Sequence, residues 1–190
     1  MATREQIIEV ATGLFARAGY RAVGVAEIVM AAAVSRAAFY ACFRSKDDLI
    51  LAVLRRRDEA VRDMVLRAIE RDQRSGGAKL LAIFDFLEEW SGRSDFTGCM
   101  FLNAAAEFHP RDDPIHRMAA EHKRLMLEGI ARLCAAAGAD DPGALAAQLY
   151  LLFDGVIVQA QACGPGVGRM RAARAAARAL IEAACPPTPC

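Results

Sequence analysis

The stretch Val34-Ser35-Arg36-Ala37-Ala38-Phe39-Tyr40-Ala41-Cys42-Phe43-Arg44-Ser45-Lys46-Asp47-Asp48-Leu49 carries two helix starts in close succession. Ser35 and Ser45 are both of the type whose side-chain oxygen accepts a hydrogen bond from a first-turn N–H. Asp47 and Asp48 follow the second serine where the helix dipole favours carboxylates. The first of these helices, Arg36 to Phe43, is about two turns long. Val34, Phe39 and Phe43 fall on the side to be buried, and Arg36, Ala37, Ala38, Tyr40 and Ala41 face outward.

Upstream, Thr3-Arg4-Glu5-Gln6 has the spacing of a capping box. Ile7, Val10, Ala11, Leu14, Phe15 and Ala18 follow at helical period, and Gly19 is placed to stop that helix in the left-handed conformation. A short helix fits Val25 to Ala32, with Gly24 as its weak cap and Ile28 facing inward. Three short helices with a tight turn before the last form a helix-turn-helix pattern, whose final helix enters the DNA major groove. Arg36 suits guanine O6 and N7, and Ala37 and Ala38 allow close approach to a thymine methyl. Tyr40 and Lys46 are of types that reach phosphate oxygens, and Ser35 opens the helix as its cap. The candidate DNA-binding residues are therefore Ser35, Arg36, Ala37, Ala38, Tyr40 and Lys46.

Downstream the spacing predicts helices from Ser45 to about Arg74, Lys79 to Trp90, Cys99 to Phe108, Ile115 to Ala137, Pro142 to Cys163 and Gly166 to Cys185. Forty alanines, no proline before Pro110 and no alternating β-branched runs make the expected fold all-α. The expected division is a helix-turn-helix domain over 1–46, a helical ligand-binding and dimerisation domain over 47–185, and a frayed tail over 186–190. The 190 residues carry 24 Lys+Arg against 23 Asp+Glu, a net charge of +1 that alone argues against a nucleic-acid binder. The distribution reverses that reading. Residues 1–57 hold nine basic and five acidic side chains, whereas residues 80–113 hold two and seven.

Bulk features exclude other classes. The longest strongly apolar run, Leu149 to Phe153, is far short of the ~20 residues of a membrane span. Arg4, Glu5 and Glu9 interrupt any secretory pattern, so the expected location is the cytoplasm and the six cysteines are expected to be reduced thiols. No Cys-x-x-Cys occurs, and His109, His116 and His122 never make the i, i+4 pair of helix-borne zinc sites. No catalytic constellation or phosphate loop stands out, so neither an enzyme nor a cofactor or metal is expected.

The residues Gly19-Tyr20, Ile28, Val34-Ser35-Arg36, Phe39-Tyr40 and Phe43-Arg44-Ser45-Lys46-Asp47-Asp48-Leu49 together resemble the N-terminal signature of the TetR/AcrR family of transcriptional regulators, over about residues 3–55. The resemblance implies an all-α homodimer that reads a two-fold operator and is released from it by a small-molecule effector, most often as a repressor. Thr97 to Phe108 further resembles one branch of that family without naming a ligand. The alternative reading is a helical small-molecule sensor without useful DNA affinity, motivated by departures at Ala33, Ala38 and Cys42, where the family often has Gly, Thr and His. If position 33 needs a positive φ, alanine costs about 1–2 kcal/mol there; otherwise the turn is built differently.

Pocket candidates follow from side-chain type. Trp90, Met100, Asn103, Glu107, His122 and Met126 offer apolar surface with a few convergent polar groups, the usual composition of a small-molecule site. Each also has a plain reading as core or solvated surface. Leu145 to Val158 is apolar nearly all round, and small residues at Gly155, Ala160, Ala162, Ala172, Ala173, Ala176 and Ala177 permit close helix approach. In the resembled family the last two long helices form the dimer interface, and this composition suits that role. Arg171, Arg174 and Arg178 share one face and are expected in water.

Overall fold

The computed structural model describes residues 2–185; the expected tail at 186–190 lies outside them. Among the described residues there are nine α-helices, a 3-10 segment and no strand. The helices are α1 (Ala2–Ala18), α2 (Val25–Ala31), α3 (Arg36–Cys42), α4 (Lys46–Glu70), α5 (Ala82–Ser91), α6 (Met100–Glu107), α7 (Pro114–Ala136), α8 (Pro142–Cys163) and α9 (Val167–Ala184). The all-α class is as expected.

Local chemistry explains most boundaries. Ser35 Oγ accepts from the Ala38 N–H at 3.0 Å and Ser45 Oγ from the Asp48 N–H at 3.1 Å, so both serines cap the helices they precede. Asp141 caps α8 in the same way, through the Ala144 N–H at 2.9 Å, with Pro142 at a position where its missing N–H loses nothing. The Thr3 box is not formed. The helix already begins at Ala2, and Gln6 Nε2 donates instead to the Ala32 carbonyl at 2.8 Å, satisfying an acceptor at the end of α2.

Helix α4 stops at Glu70 rather than Arg74. Asp72 Oδ1 accepts the Arg74 N–H two residues on at 2.9 Å, a local turn that competes with helix. The Arg74 guanidinium also binds this carboxylate and holds its pKa down at about 2. The predicted helix from Lys79 begins as a 3-10 turn over Gly76–Leu81 and becomes α-helical only at Ala82.

The turn between α2 and α3 is a Schellman motif. Val34 N–H donates to Val29 O at 3.2 Å and Ala33 N–H to Met30 O at 3.1 Å. Ala33 sits at φ 51°, the one non-glycine residue with positive φ among those described. The turn therefore has the left-handed geometry, and alanine bears its strain. Ala33 is exposed, so glycine there loses no packing. Ala33→Gly should remove about 1–2 kcal/mol of strain and return about 0.4–1 kcal/mol through a looser unfolded chain. The expected outcome is a thermal midpoint raised by about 2 °C. A lowered midpoint would show that the alanine is not strained.

The chain forms two compact units. One comprises the described residues up to Ala60 with Cys99–Lys123, and the other Val61–Gly98 with the described residues from Arg124 onward. These divisions differ from the expected cut at 46/47. Leu49, Ile50, Val53 and Leu54 of α4 are fully buried in the first unit, which also takes in Phe101, Phe108 and Ile115. There Phe15 and Tyr20 pack with ring centroids 5.1 Å apart, and Phe108 meets Tyr20 edge-on at 6.2 Å. Of the α1 stripe, Ala18 is exposed and Ile8 takes its place in the core.

The second unit packs α5 against α8 and α9, burying Phe84, Leu87, Leu145, Leu149, Phe153, Ile157, Met170 and Ile181. Each such side chain stabilises by about 1.5–3 kcal/mol relative to exposure. Helix α8 is long and apolar enough to cross a membrane, with mean hydropathy 1.4, which the count of consecutive apolar residues did not register. Its Leu145, Leu149, Phe153 and Ile157 are core of this unit. Arg174 is half-buried rather than fully in water as expected: it pairs with Asp85, and Glu88 lies 3.9 Å away. Arg171 and Arg178 are exposed.

Candidate nucleic-acid interface

Helices α2 and α3 meet at 105°, within the range of a DNA-binding helix-turn-helix. On α3 only Phe39 is buried, and Phe43, which closes the helix, is 4% exposed. Ser35, Arg36, Ala37, Tyr40 and Ala41 are exposed, and Ala38 and Cys42 are half-buried. Arg36, Ala37, Tyr40 and Ala41 face outward as read from spacing, whereas Ala38, expected outward, and Val34, expected inside, are both half-buried.

Its two large polar side chains are held in place. Tyr40, 46% exposed, meets Phe39 edge-on at 5.2 Å, and the Arg36 guanidinium lies 5.9 Å from the Tyr40 ring centroid. A guanidinium seated on an aromatic face gives up less freedom when it forks onto an acceptor pair. Ser35 Oγ accepts the cap bond that fixes the start of the helix, which leaves its hydroxyl proton available to a phosphate oxygen.

Lys46 does something other than expected. Its Nζ donates to the carbonyl oxygens of Tyr20 at 2.9 Å, Arg21 at 3.3 Å and Val23 at 3.1 Å. An ammonium has three protons, and all three are taken. Two cations absent from the candidate set stand beside Phe43. Arg44 has a side chain 95% exposed and 3.4 Å from Asp48, and the Arg4 guanidinium sits 5.2 Å from the Phe43 ring centroid. The signal for Arg44 was present in the sequence, as Ala33 to Lys46 contains basic but no acidic side chains.

The six pocket candidates are divided between the units. Met100, Asn103, Glu107 and His122 belong to the first, Trp90 and Met126 to the second. Glu107 and His122 have specific protein partners. Glu107 Oε1 and Oε2 accept from the backbone N–H groups of Tyr20 and Arg21, at 2.9 and 2.6 Å. His122 Nδ1 lies 2.7 Å from Asp58 Oδ1, both residues being buried, and its ring stacks on Phe101 at 3.5 Å.

The Met100 carbonyl accepts from the Tyr20 hydroxyl at 3.0 Å, and burial pushes that phenol far above its usual range, so it stays a donor. Trp90 packs between Phe86 and Phe96. Met126 lines a cleft of only about 30 Å³ with Val65, Leu125, Ile130 and Leu133. A larger open cleft of about 350 Å³, beside Ser91, Val156, Arg169 and Met170, contains none of the six. Among the described residues no three His, Cys, Asp or Glu side chains gather as a metal site.

A small all-α unit presenting a helix-turn-helix, joined in one chain to a further helical unit, defines a DNA-binding regulator class. Residues 7–53 match the family model of bacterial regulatory proteins, tetR family, and residues 76–180 match a tetracyclin repressor-like C-terminal domain. The chain belongs to the TetR family. It is 29% identical over 151 residues to the transcriptional regulator AcuR of Cereibacter sphaeroides, covering 75% of this chain and 69% of that protein.

A TetR-family regulator from Streptomyces coelicolor superposes with a TM-score of 0.89 at 28% identity, over 96% of both chains. A putative regulator from Streptomyces avermitilis gives 0.76 at 31% identity, over 94% of this chain and 99% of that one. The chain is thus a transcriptional regulator and not an enzyme. Regulators of this family bind DNA and small-molecule ligands and are generally dimers.

Proposed function

We propose that this regulator reads a two-fold operator as a cytoplasmic homodimer and acts as a repressor released by a small-molecule effector. The observation that carries the reading is the outward face of α3, where Arg36 and Tyr40 form an ordered pair among the small residues Ala37 and Ala41. Arg36 is assigned to a guanine edge, Ala37 and Ala38 to close groove contact, and Tyr40, Arg44 and Arg4 to phosphates. Trp90 and Met126 remain effector candidates in the second unit, and Met100 and Asn103 separately in the first. Glu107 and His122 leave the set because their polar atoms serve the protein's own structure.

The test is fluorescence anisotropy on the DNA immediately upstream of the protein's own gene, across a salt series. Specific binding should weaken steeply with salt, as counterions are released from each neutralised phosphate. Equal affinity for that DNA and for a scrambled duplex would favour a sensor without useful DNA affinity.

The dimer is assigned to α8 and α9. Leu151 and Val158, on one stripe of α8 with Gly155, are 75% and 48% exposed, and Ala172, Ala175, Ala176 and Ala179 are exposed on α9. Exposed apolar side chains beside small residues suit close packing of helices from two chains. Leu151→Glu should convert the dimer to a monomer in sedimentation velocity while far-ultraviolet circular dichroism stays unchanged. A variant that remains dimeric would remove α8 from the interface.

A further inference from the structure

We infer that Glu107 is a positioning residue for DNA reading, working with Lys46 to fix the turn that leads into the helix-turn-helix. This rests on the DNA-reading function proposed above. The turn between α1 and α2 exposes backbone donors and acceptors that neither helix can satisfy. The donors meet an anion: the Glu107 carboxylate receives the N–H groups of Tyr20 and Arg21 at 2.9 and 2.6 Å. The acceptors meet a cation: Lys46 Nζ donates to Tyr20, Arg21 and Val23. Charge-assisted bonds of this kind are about twice as strong as neutral ones.

Further contacts close the clamp. Arg21 Nε donates to the Glu107 carbonyl at 2.8 Å, and its guanidinium covers the Phe108 ring at 5.0 Å. Gly19, at φ 83°, lies so near that a Cβ there would sit 2.8 Å from Glu107 Oε1. Only the short helix α2 separates this turn from the turn before α3. A displacement of residues 20–23 therefore tilts α2 and carries α3 with it.

The sign of the effect separates positioning from electrostatics. Glu107 is an anion, and removing an anion from a DNA-binding protein should by Coulomb's law strengthen binding. Positioning demands the opposite. The experiment first lets the wild-type protein select a duplex from a random-sequence library, then measures anisotropy on that duplex over a salt series. Glu107→Gln should bind about tenfold more weakly, the equivalent of roughly one lost charge-assisted hydrogen bond. Its salt slope should be unchanged, because no phosphate contact is lost.

Amide hydrogen exchange should speed up at Tyr20 and Arg21 but not at Phe39, placing the loosening in the turn. Lys46→Met provides the second arm and stands alone if Glu107→Gln folds poorly. It should also weaken binding at constant slope, whereas a phosphate-contacting lysine would lower the slope by about one per head. Unchanged or tighter binding by Glu107→Gln, or a lowered slope for Lys46→Met, overturns the inference. A wild type that selects no sequence fails earlier, and that failure belongs to DNA reading itself.

Discussion

Asp58→Ala is expected to destabilise the protein by about 3 kcal/mol. Asp58 and His122 are 5% and 3% exposed, and the carboxylate lies 2.7 Å from Nδ1. A carboxylate only accepts, so the geometry assigns the Nδ1 proton to the histidine as donor. Taking the carboxylate away removes the acceptor 2.7 Å from a buried imidazole whose ring stacks on Phe101 at 3.5 Å. Chemical denaturation should show the loss as a lower midpoint at unchanged m-value, and heating as a midpoint down by about 6–12 °C.

The double variant Asp58→Leu with His122→Leu should lose less than the sum of the two single changes, since neither polar group is then stranded. A single-variant loss below about 1 kcal/mol, or strict additivity, would remove the pair from the supports of this unit.

The same pair shows where reading from sequence stopped. Asp58 and His122 stand on different helices, and helix periodicity assigns a face within one helix but says nothing about which face of another it meets. The residue type of His122 suits a structural histidine more often than a ligand, but the partner that satisfies it lies 64 residues away in sequence. The partners of Glu107 were out of reach for the same reason: they are the backbone N–H groups of a turn 86 and 87 residues earlier.

Lys46 shows a different limit. The residue type and position fit a phosphate, but a long flexible ammonium goes wherever carbonyl oxygens converge, and three converge behind it. Features set by short-range chemistry were legible. The caps at Ser35 and Ser45, the buried side of α3 and the ends of α8 all depend on residues within four positions of one another. Ala33 lies between these cases: the cost of a positive φ was calculable from the residue type, but whether the turn required it was not.

The other large effect is expected on α3. Arg36→Ala should abolish sequence preference at one base pair in each half-site of the selected duplex. A bidentate arginine–guanine contact contributes about 1–3 kcal/mol. In a two-headed complex the loss is incurred twice, about 2–6 kcal/mol, so affinity should fall by about thirtyfold to about 10⁴-fold. Arg36→Lys should recover little of it, because a point charge cannot fork onto O6 and N7 and sits less well over the Tyr40 ring at 5.9 Å.

Arg44→Ala supplies the contrast. Its 95% exposed side chain is placed for a phosphate, so the loss should be similar on every sequence and should lower the salt slope by about one per head. Competition with duplexes mutated one base pair at a time distinguishes these outcomes. The Arg36 variant should become indifferent at a single symmetric position, and the Arg44 variant at none. An Arg36→Ala protein that keeps wild-type helicity, affinity and base preference would show that α3 is not the reading helix. The exposed pairing of Arg36 with Tyr40 would then need another explanation.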